Sequence, residues 1–138
     1  EVRHGDLYDL TLQDGVADAV VMHQVLHFLA EPGAAIAEAA RILAPGGKLL
    51  IVDFAPHDLE FLRDEHAHKR LGIGADTIEQ WTAAAGLDLK RSELLAREGG
   101  SDQPKLTVSL WVAERPSTTL SNATKRAGAT ARQIEEAR

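Results

Sequence analysis

Apolar residues in the first half of the chain form two unbroken runs separated by a stretch with helical spacing. The first run, residues 17–22, follows a polar turn (Gln13-Asp14-Gly15), and its β-branched valines favour a strand. It lacks alternation, which suits a strand buried on both faces, as in a parallel sheet covered by helices. Ala35, Ile36, Ala39, Ala40, Ile42 and Leu43 then recur at helical spacing. Pro32 falls where a first helical turn tolerates a missing N–H. Pro45-Gly46-Gly47 ends that helix, and residues 49–52 form a second buried strand with Asp53 at its carboxyl end. Strand, helix and strand with short connections make one right-handed crossover unit of an α/β protein.

The remaining pattern predicts smaller elements. Residues 2–7 read as the end of a short strand with a turn after it. Residues 56–71 carry Leu59, Phe61 and Leu62 among many charges, as in a loop entering an amphipathic helix. A helix over 77–85 places Ile78, Trp81 and Thr82 or Ala85 on one side, with Asp76 as N-cap, Glu79 in the capping-box position and Gly86 as the stop. Residues 87–95 mix apolar and charged positions, as in a strand near a sheet edge. The turn Gly99-Gly100-Ser101-Asp102-Gln103-Pro104 leads to Leu106, Val108, Leu110 and Val112, which alternate with Thr107, Ser109 and Trp111. That is a period-2 strand. Residues 1–115 thus form the structured part. Residues 116–138, with Leu120 and Ile134 as their only large apolar side chains, read as a disordered tail or linker.

Composition narrows the classes. With 138 residues, 44% apolar and 26% charged, the chain fits one globular domain or part of one. The absence of an initiator Met, and a first segment that reads as a strand already under way, point to a fragment. A net charge of −6 argues against a general nucleic-acid surface. Zero cysteines exclude disulfides, thiolate metal sites and cysteine nucleophiles, and are compatible with a reducing cytoplasm. No apolar stretch approaches the roughly 20 residues needed to span a bilayer.

Taken together, these motifs resemble the second half of a class I S-adenosylmethionine-dependent methyltransferase. The resemblance is carried by Asp14-Gly15-Val16-Ala17-Asp18-Ala19-Val20-Val21, by Val25-Leu26-His27-Phe28-Leu29, and by Arg41-Ile42-Leu43-Ala44-Pro45-Gly46-Gly47-Lys48-Leu49. It extends over residues 2–115. Residues 54–72 and 106–113 resemble, more narrowly, the methyltransferase domain fused to an ArsR-type winged helix in bacterial regulators. The resemblance implies an α/β fold with a partial Rossmann-like sheet. The family's strand order is 3-2-1-4-5-7-6, of which this chain would supply the end of strand 3 and strands 4 to 7, the last antiparallel. Strands 1 and 2 are lacking, so Val20-Val21 would become an exposed apolar edge, which invites aggregation. The family's Gly-rich loop and the acid ending its second strand, which hold the amino-acid end and ribose of the cofactor, are also lacking. The chain alone is therefore expected to be inactive and not to bind S-adenosylmethionine measurably.

Ligands of open α/β sheets bind outside the carboxyl ends of strands, where strand order reverses. That rule selects three places. At Gly5-Asp6-Leu7, the resemblance implies that Asp6 accepts a hydrogen bond from the adenine amino group and that the Leu7 N–H meets a ring nitrogen. Past the 17–22 run, His23 or Gln24 would neighbour the methionine part of the cofactor. His27 would share a face with His23 on a helical turn, either touching the cofactor or packed and hydrogen-bonded beneath its cleft. Two histidines without a Cys or a His-Glu-x-x-His motif do not make a metal site. The third place is 53–58, on the acceptor side, where His57 is the best candidate for a base. Its competitor is a solvated charged helix over 57–70 in which His57, His66 and His68 do no chemistry. Methyl transfer needs mainly proximity and orientation, and a base only when the acceptor must lose a proton. Asp18 and Arg41 read as structural, and Gly46 and Gly47 as a tight turn rather than a phosphate loop.

The leading expectation is a parent methyltransferase using S-adenosylmethionine on an unidentified small-molecule acceptor, in the cytoplasm and without membrane contact. The alternative is an ArsR-type transcriptional regulator whose methyltransferase-like domain senses ligand without turnover and reaches DNA only through a missing upstream domain. A third reading, an NAD- or nucleotide-sugar-binding α/β protein, gives no reason for the Leu43-Ala44-Pro45-Gly46-Gly47 junction.

Overall fold

Two parallel strands need a crossover, and here a single helix supplies it. The computed structural model describes residues 1–56, 72–95 and 107–117. Strand β1 (Ala17–His23) leads through a 3-10 turn (Leu26–Phe28) into helix α1 (Pro32–Ile42), which returns the chain to strand β2 (Leu43–Phe54). Helix α2 (Ala75–Ala84), strand β3 (Asp88–Leu95) and strand β4 (Val108–Glu114) follow. The sheet order is β1-β2-β4-β3. β1 and β2 run parallel, and β4 inserts between β2 and β3 antiparallel to both. This is the α/β arrangement expected, with the last strand reversed. The expected segments over 56–71, 99–104 and 116–138 lie outside the described residues, apart from Pro56, Pro116 and Ser117.

One face of the sheet is covered. Leu49 and Ile51 of β2, Met22 of β1, and Trp111 and Ala113 of β4 join one apolar cluster with Ala35, Ile36, Ala39 and Ala40 of α1 and Ile78 of α2. A Cβ on Gly33 of α1 would lie 2.9 Å from the Trp81 ring of α2, so a bare backbone lets the two helices approach. The other face carries Leu50, Val52, Leu110 and Val112, all only half-buried. β1 is therefore not buried on both faces. It is an edge strand, and Val21 on its uncovered side is 60% exposed, whereas Val20 packs against the core.

Three further expectations need correction. Residues 2–7 form no strand. Asp6 and Asp9 instead close an isolated bridge, because no strand among the described residues lies beside them to complete a ladder. Pro45-Gly46-Gly47 is a bulge within β2 rather than a break before it. β2 starts directly after α1, and its pairing jumps from Ala17–Leu43 to Ala19–Lys48. Gly46 takes φ +81, and a Cβ on Gly47 would sit 2.8 Å from the Ala44 carbonyl. The capping box at Asp76 is also not formed: Gly74 is the N-cap of α2 and makes no side-chain cap bond, while Asp76 lies in the first turn. Gly86 stops this helix as expected, at φ +78.

Arg41 does more than favour a helix end. It forks onto Glu38 (Nε–Oε1 and Nη2–Oε2, both 2.8 Å) and reaches Asp14 at 2.7 Å, Leu12 O at 2.8 Å and Leu10 O at 2.9 Å. Leu10 N–H donates to the same Glu38 carboxylate at 2.5 Å. Nearer the amino end of α1, Glu31 N–H donates to the Tyr8 hydroxyl at 3.2 Å. Residues 8–14 are thereby strapped along α1 from its amino end to its carboxyl end.

The Arg41 hydrogen bond, with help from the Leu10 N–H, holds the Glu38 carboxyl below its usual pKa of 4.5. A depressed carboxylate contributes stability above the unfolded value and loses it as pH falls through the folded one. Glu38→Gln is thus expected to lower stability near neutrality and to flatten the loss of stability that wild type shows below pH 4.5. Urea melts over a pH series would read this, and parallel acid limbs for the two proteins would count against the strap.

Candidate functional site

At the carboxyl end of the parallel pair, β1 leaves the sheet by an unusual step. Gln24 has φ +55, the one positive value at a non-glycine residue among the described residues. Its N–H donates to Val52 O at 2.6 Å, so the strand ladder extends one bond into the kink. A left-handed residue other than glycine costs roughly 1–2 kcal/mol. Outliers of this kind cluster at functional sites. The chain then closes the 3-10 turn, with Phe28 N–H on Val25 O and Leu29 N–H on Leu26 O, each 3.1 Å.

A buried carboxylate holds this turn from the neighbouring strand. Asp53 alternates with Leu49 and Ile51 on the covered face of β2 and is 0% exposed. Its Oδ2 accepts the Leu26 N–H at 3.0 Å. Its Oδ1 accepts the Phe54 N–H at 2.8 Å and pairs with His27 Nδ1 at 2.6 Å. An ionised carboxylate only accepts, so the shared proton belongs on Nδ1. The N···O distance is that of a charge-assisted bond. His27 is 1% exposed, its ring 4.1 Å from that of Phe28 and 4.8 Å from that of Phe54. One carboxylate thus ties the exit of β1 to the exit of β2.

His27 is packed and hydrogen-bonded in the structure. The helical face shared with His23 is not. His23 is the last residue of β1 and exposed, and the kink at Gln24 separates the two rings.

Asp6 lies at the same end of the sheet. Its Oδ1 accepts the Tyr8 N–H at 2.9 Å in a local turn. Tyr8 in turn meets Glu31 at the amino end of α1, the end that adjoins the exit of β1. Leu7 and Tyr8 are each 39% exposed beside this turn. Asp6 and Leu7, next to Tyr8, thus lie toward the end of the fold where His23, Gln24 and His27 stand. His57 lies outside the described residues.

The far side of the same end is closed by Ala55 and Gly72-Ile73. Ala55 N–H donates to Thr107 O and Ile73 N–H to Phe54 O, each at 2.8 Å. A separate groove at the opposite end of the sheet is lined by Ala37, Ala40, Ala84, Gly86 and Arg115, among others, and holds none of these residues.

Asp53 is the residue that the strand-end rule touched but did not single out. Its signal was present: a carboxylate closing an apolar strand, and a lone histidine inside the apolar Val25-Leu26-His27-Phe28-Leu29 turn. A buried carboxylate needs donors, and His27 is one of those that Asp53 has.

Comparisons with known proteins agree with this geometry. Residues 1–51 match the sequence model of a methyltransferase domain. An uncharacterised 37.1 kDa protein in transposon TN4556 of Streptomyces fradiae is 45% identical over 51 residues, covering 37% of this chain and 15% of that protein. A protein of Mycolicibacterium smegmatis named as a probable S-adenosylmethionine-dependent methyltransferase is 29% identical over 116 residues, covering 73% of this chain and 44% of its own length. The chain thus spans less than half of either curated relative. Among solved structures, a SAM-dependent methyltransferase from Methanosarcina mazei superposes with a TM-score of 0.65 at 13% identity, covering 83% of this chain and 66% of that one. The fold is that of the Rossmann-like methyltransferases, and the four-stranded sheet is part of theirs.

Proposed function

We propose that this chain supplies one wall of the cofactor cleft and the acceptor side of an S-adenosylmethionine-dependent methyltransferase acting on a small molecule in the cytoplasm. The observation that carries the proposal is the left-handed exit of β1 at Gln24, inside the segment that matches a methyltransferase domain. Backbone turned away from the sheet at a strand's carboxyl end is where an α/β protein makes room for a ligand.

The donors and acceptors present suit the adenine end of the cofactor. Asp6 uses Oδ1 for its own turn, which leaves Oδ2 to accept an adenine amino hydrogen. The Leu7 N–H would meet a ring nitrogen, with apolar Leu7 and Tyr8 surface alongside. His23 and the Gln24 backbone would border the methionine part, over the packed His27. The cofactor brings an electrophilic methyl on a sulfonium centre. The protein's share is to align an acceptor with it and exclude water, which can supply most of the acceleration. Where the acceptor carries a proton, His57 would take it. The partners for the ribose and amino-acid end are not among this chain's motifs, so its own binding is expected to escape calorimetry and to show only at millimolar ligand.

Saturation-transfer NMR on the full chain tests the reading. With S-adenosylhomocysteine in the millimolar range, the adenine protons are expected to receive saturation more strongly than the homocysteine protons. Inosine at the same concentration, whose ring carries a carbonyl in place of the amino group that Asp6 would accept from, should show no such transfer. Equal transfer to both ligands, or none to either, would contradict the proposal. Micromolar binding by calorimetry would contradict the partial-site view.

A further inference from the structure

We infer that Asp53 and His27 are positioning residues: their buried pair holds the left-handed Gln24 kink, and through it the backbone that borders the cofactor. The inference rests on the cofactor reading only in its last step. The first two are independent of any ligand.

Stability alone does not account for this pair. A buried carboxylate and imidazole lose their hydration, and replacing a buried ion pair by apolar groups of similar volume is often neutral or stabilising. An apolar pair in the same place would leave the Leu26 and Phe54 N–H groups without their acceptor. What an apolar pair cannot do is fix direction. Asp53 receives three donors from three directions: the Leu26 N–H at the start of the 3-10 turn, the Phe54 N–H of its own strand end, and His27 Nδ1.

The first of these is the important one. The N–H groups at the start of a helical turn have no partner within it. Asp53 takes that of Leu26 from across the sheet, which pins the residue two positions after Gln24. Gln24 itself is pinned on its amino side by the bond to Val52 O. With both ends held, the intervening backbone has little choice but the left-handed step. His27 then aims the carboxylate: its Nδ1 bond, and its ring between Phe28 and Phe54, fix which oxygen faces Leu26. The kink is thus imposed by contacts between residues 24–28 and 52–54, and not by a preference of glutamine.

The test compares folded variants of the full chain. In wild type, nitrogen shifts of the His27 ring should place the proton on Nδ1, and the Gln24 amide should exchange slowly. Asp53→Asn keeps the shape but turns a donor toward His27. Its Gln24 amide is expected to exchange at least tenfold faster relative to the β1 amides, with the saturation-transfer response to millimolar S-adenosylhomocysteine lost. The apolar double variant Asp53→Leu/His27→Leu, which orphans the Leu26 and Phe54 N–H groups, should have a lower urea midpoint and lose Gln24 protection by more than the β1 amides lose theirs. His27→Gln, which retains a side-chain donor, should restore protection that His27→Leu lacks; this contrast serves if either Asp53 variant does not fold.

Gln24 exchange within twofold of wild type in folded Asp53→Asn, in folded His27→Leu or in the folded double leucine variant would overturn the inference. So would a wild-type His27 whose Nδ1 carries no proton. If wild type shows no response to S-adenosylhomocysteine, the cofactor reading falls, and the exchange comparison still decides whether the pair positions Gln24.

Discussion

Gly72→Ala is expected to destabilise the folded chain by about 2–5 kcal/mol, the sum of a strained backbone and an overpacked contact. Gly72 holds φ +88, where an L side chain is strained whatever the space. A Cβ there would lie 2.1 Å from Ala55 O, 2.4 Å from Ala55 C and 2.6 Å from Pro56 Cα. All three are backbone atoms, so no side chain can swing aside. The neighbouring backbone is also anchored on both sides, by Ala55 N–H on Thr107 O and by Ile73 N–H on Phe54 O. Gly86 is the control. Its φ is similar, at +78, but a Cβ would meet nothing within 4 Å. Gly86→Ala should therefore cost only the strain, about 1 kcal/mol. Urea denaturation of the two variants reads the difference, and equal midpoints would mean that the close approach at the end of β2 is not there.

Trp111→Ala is expected to cost about 3–5 kcal/mol, as large-to-small changes of buried aromatics do. Trp111 heads the fully buried side chains by volume and stands in register between Ile51 of β2 and Ser92 of β3, beneath both helices. Its Nε1–H has no acceptor among the described residues, so the ring contributes through its apolar surface rather than through a hydrogen bond. Trp111→Phe should accordingly recover most of the loss, leaving a deficit under about 2 kcal/mol. The measurement is again the urea midpoint at constant m-value. A phenylalanine variant as unstable as the alanine one would show that the indole N–H carries the stabilisation.

Elements whose cause is local were legible in the sequence. The apolar spacing from Ala35 to Ile42 became the buried stripe of α1, with Pro32 in its first turn as expected. The alternation around Trp111 became β4, whose buried positions are Ser109, Trp111 and Ala113. What escaped is set by contacts distant in sequence. Arg41 reads as a helix-end cation until its partners 27 to 31 residues upstream are seen. The glycine pair at 46 and 47 reads as a turn because nothing local says that Arg115 will hydrogen-bond across it, with Gly46 N–H on Arg115 O at 2.7 Å and Arg115 N–H on Gly47 O at 2.9 Å.

The site divides along the same line. The hydrophobic pattern led to the end of β1, and so to His23, Gln24 and His27 as candidates; Asp6 and Leu7 came from the family resemblance and stand on no strand. The left-handed step at Gln24 left no trace in the sequence, since glutamine has no preference for that conformation. The bond between Asp53 and His27 joins positions 26 residues apart and needs the parallel register of β1 and β2 to exist.

The central claim is that the carboxyl end of β1 forms the cofactor wall. A map of amide shifts on the full chain, titrated with S-adenosylhomocysteine into the millimolar range, tests it most directly. The expected result is a set of perturbations confined to Asp6, Leu7, His23, Gln24 and the turn that follows. Perturbations centred on the groove at the opposite end, at Ala37, Gly86 and Arg115, or no perturbation at all, would contradict it.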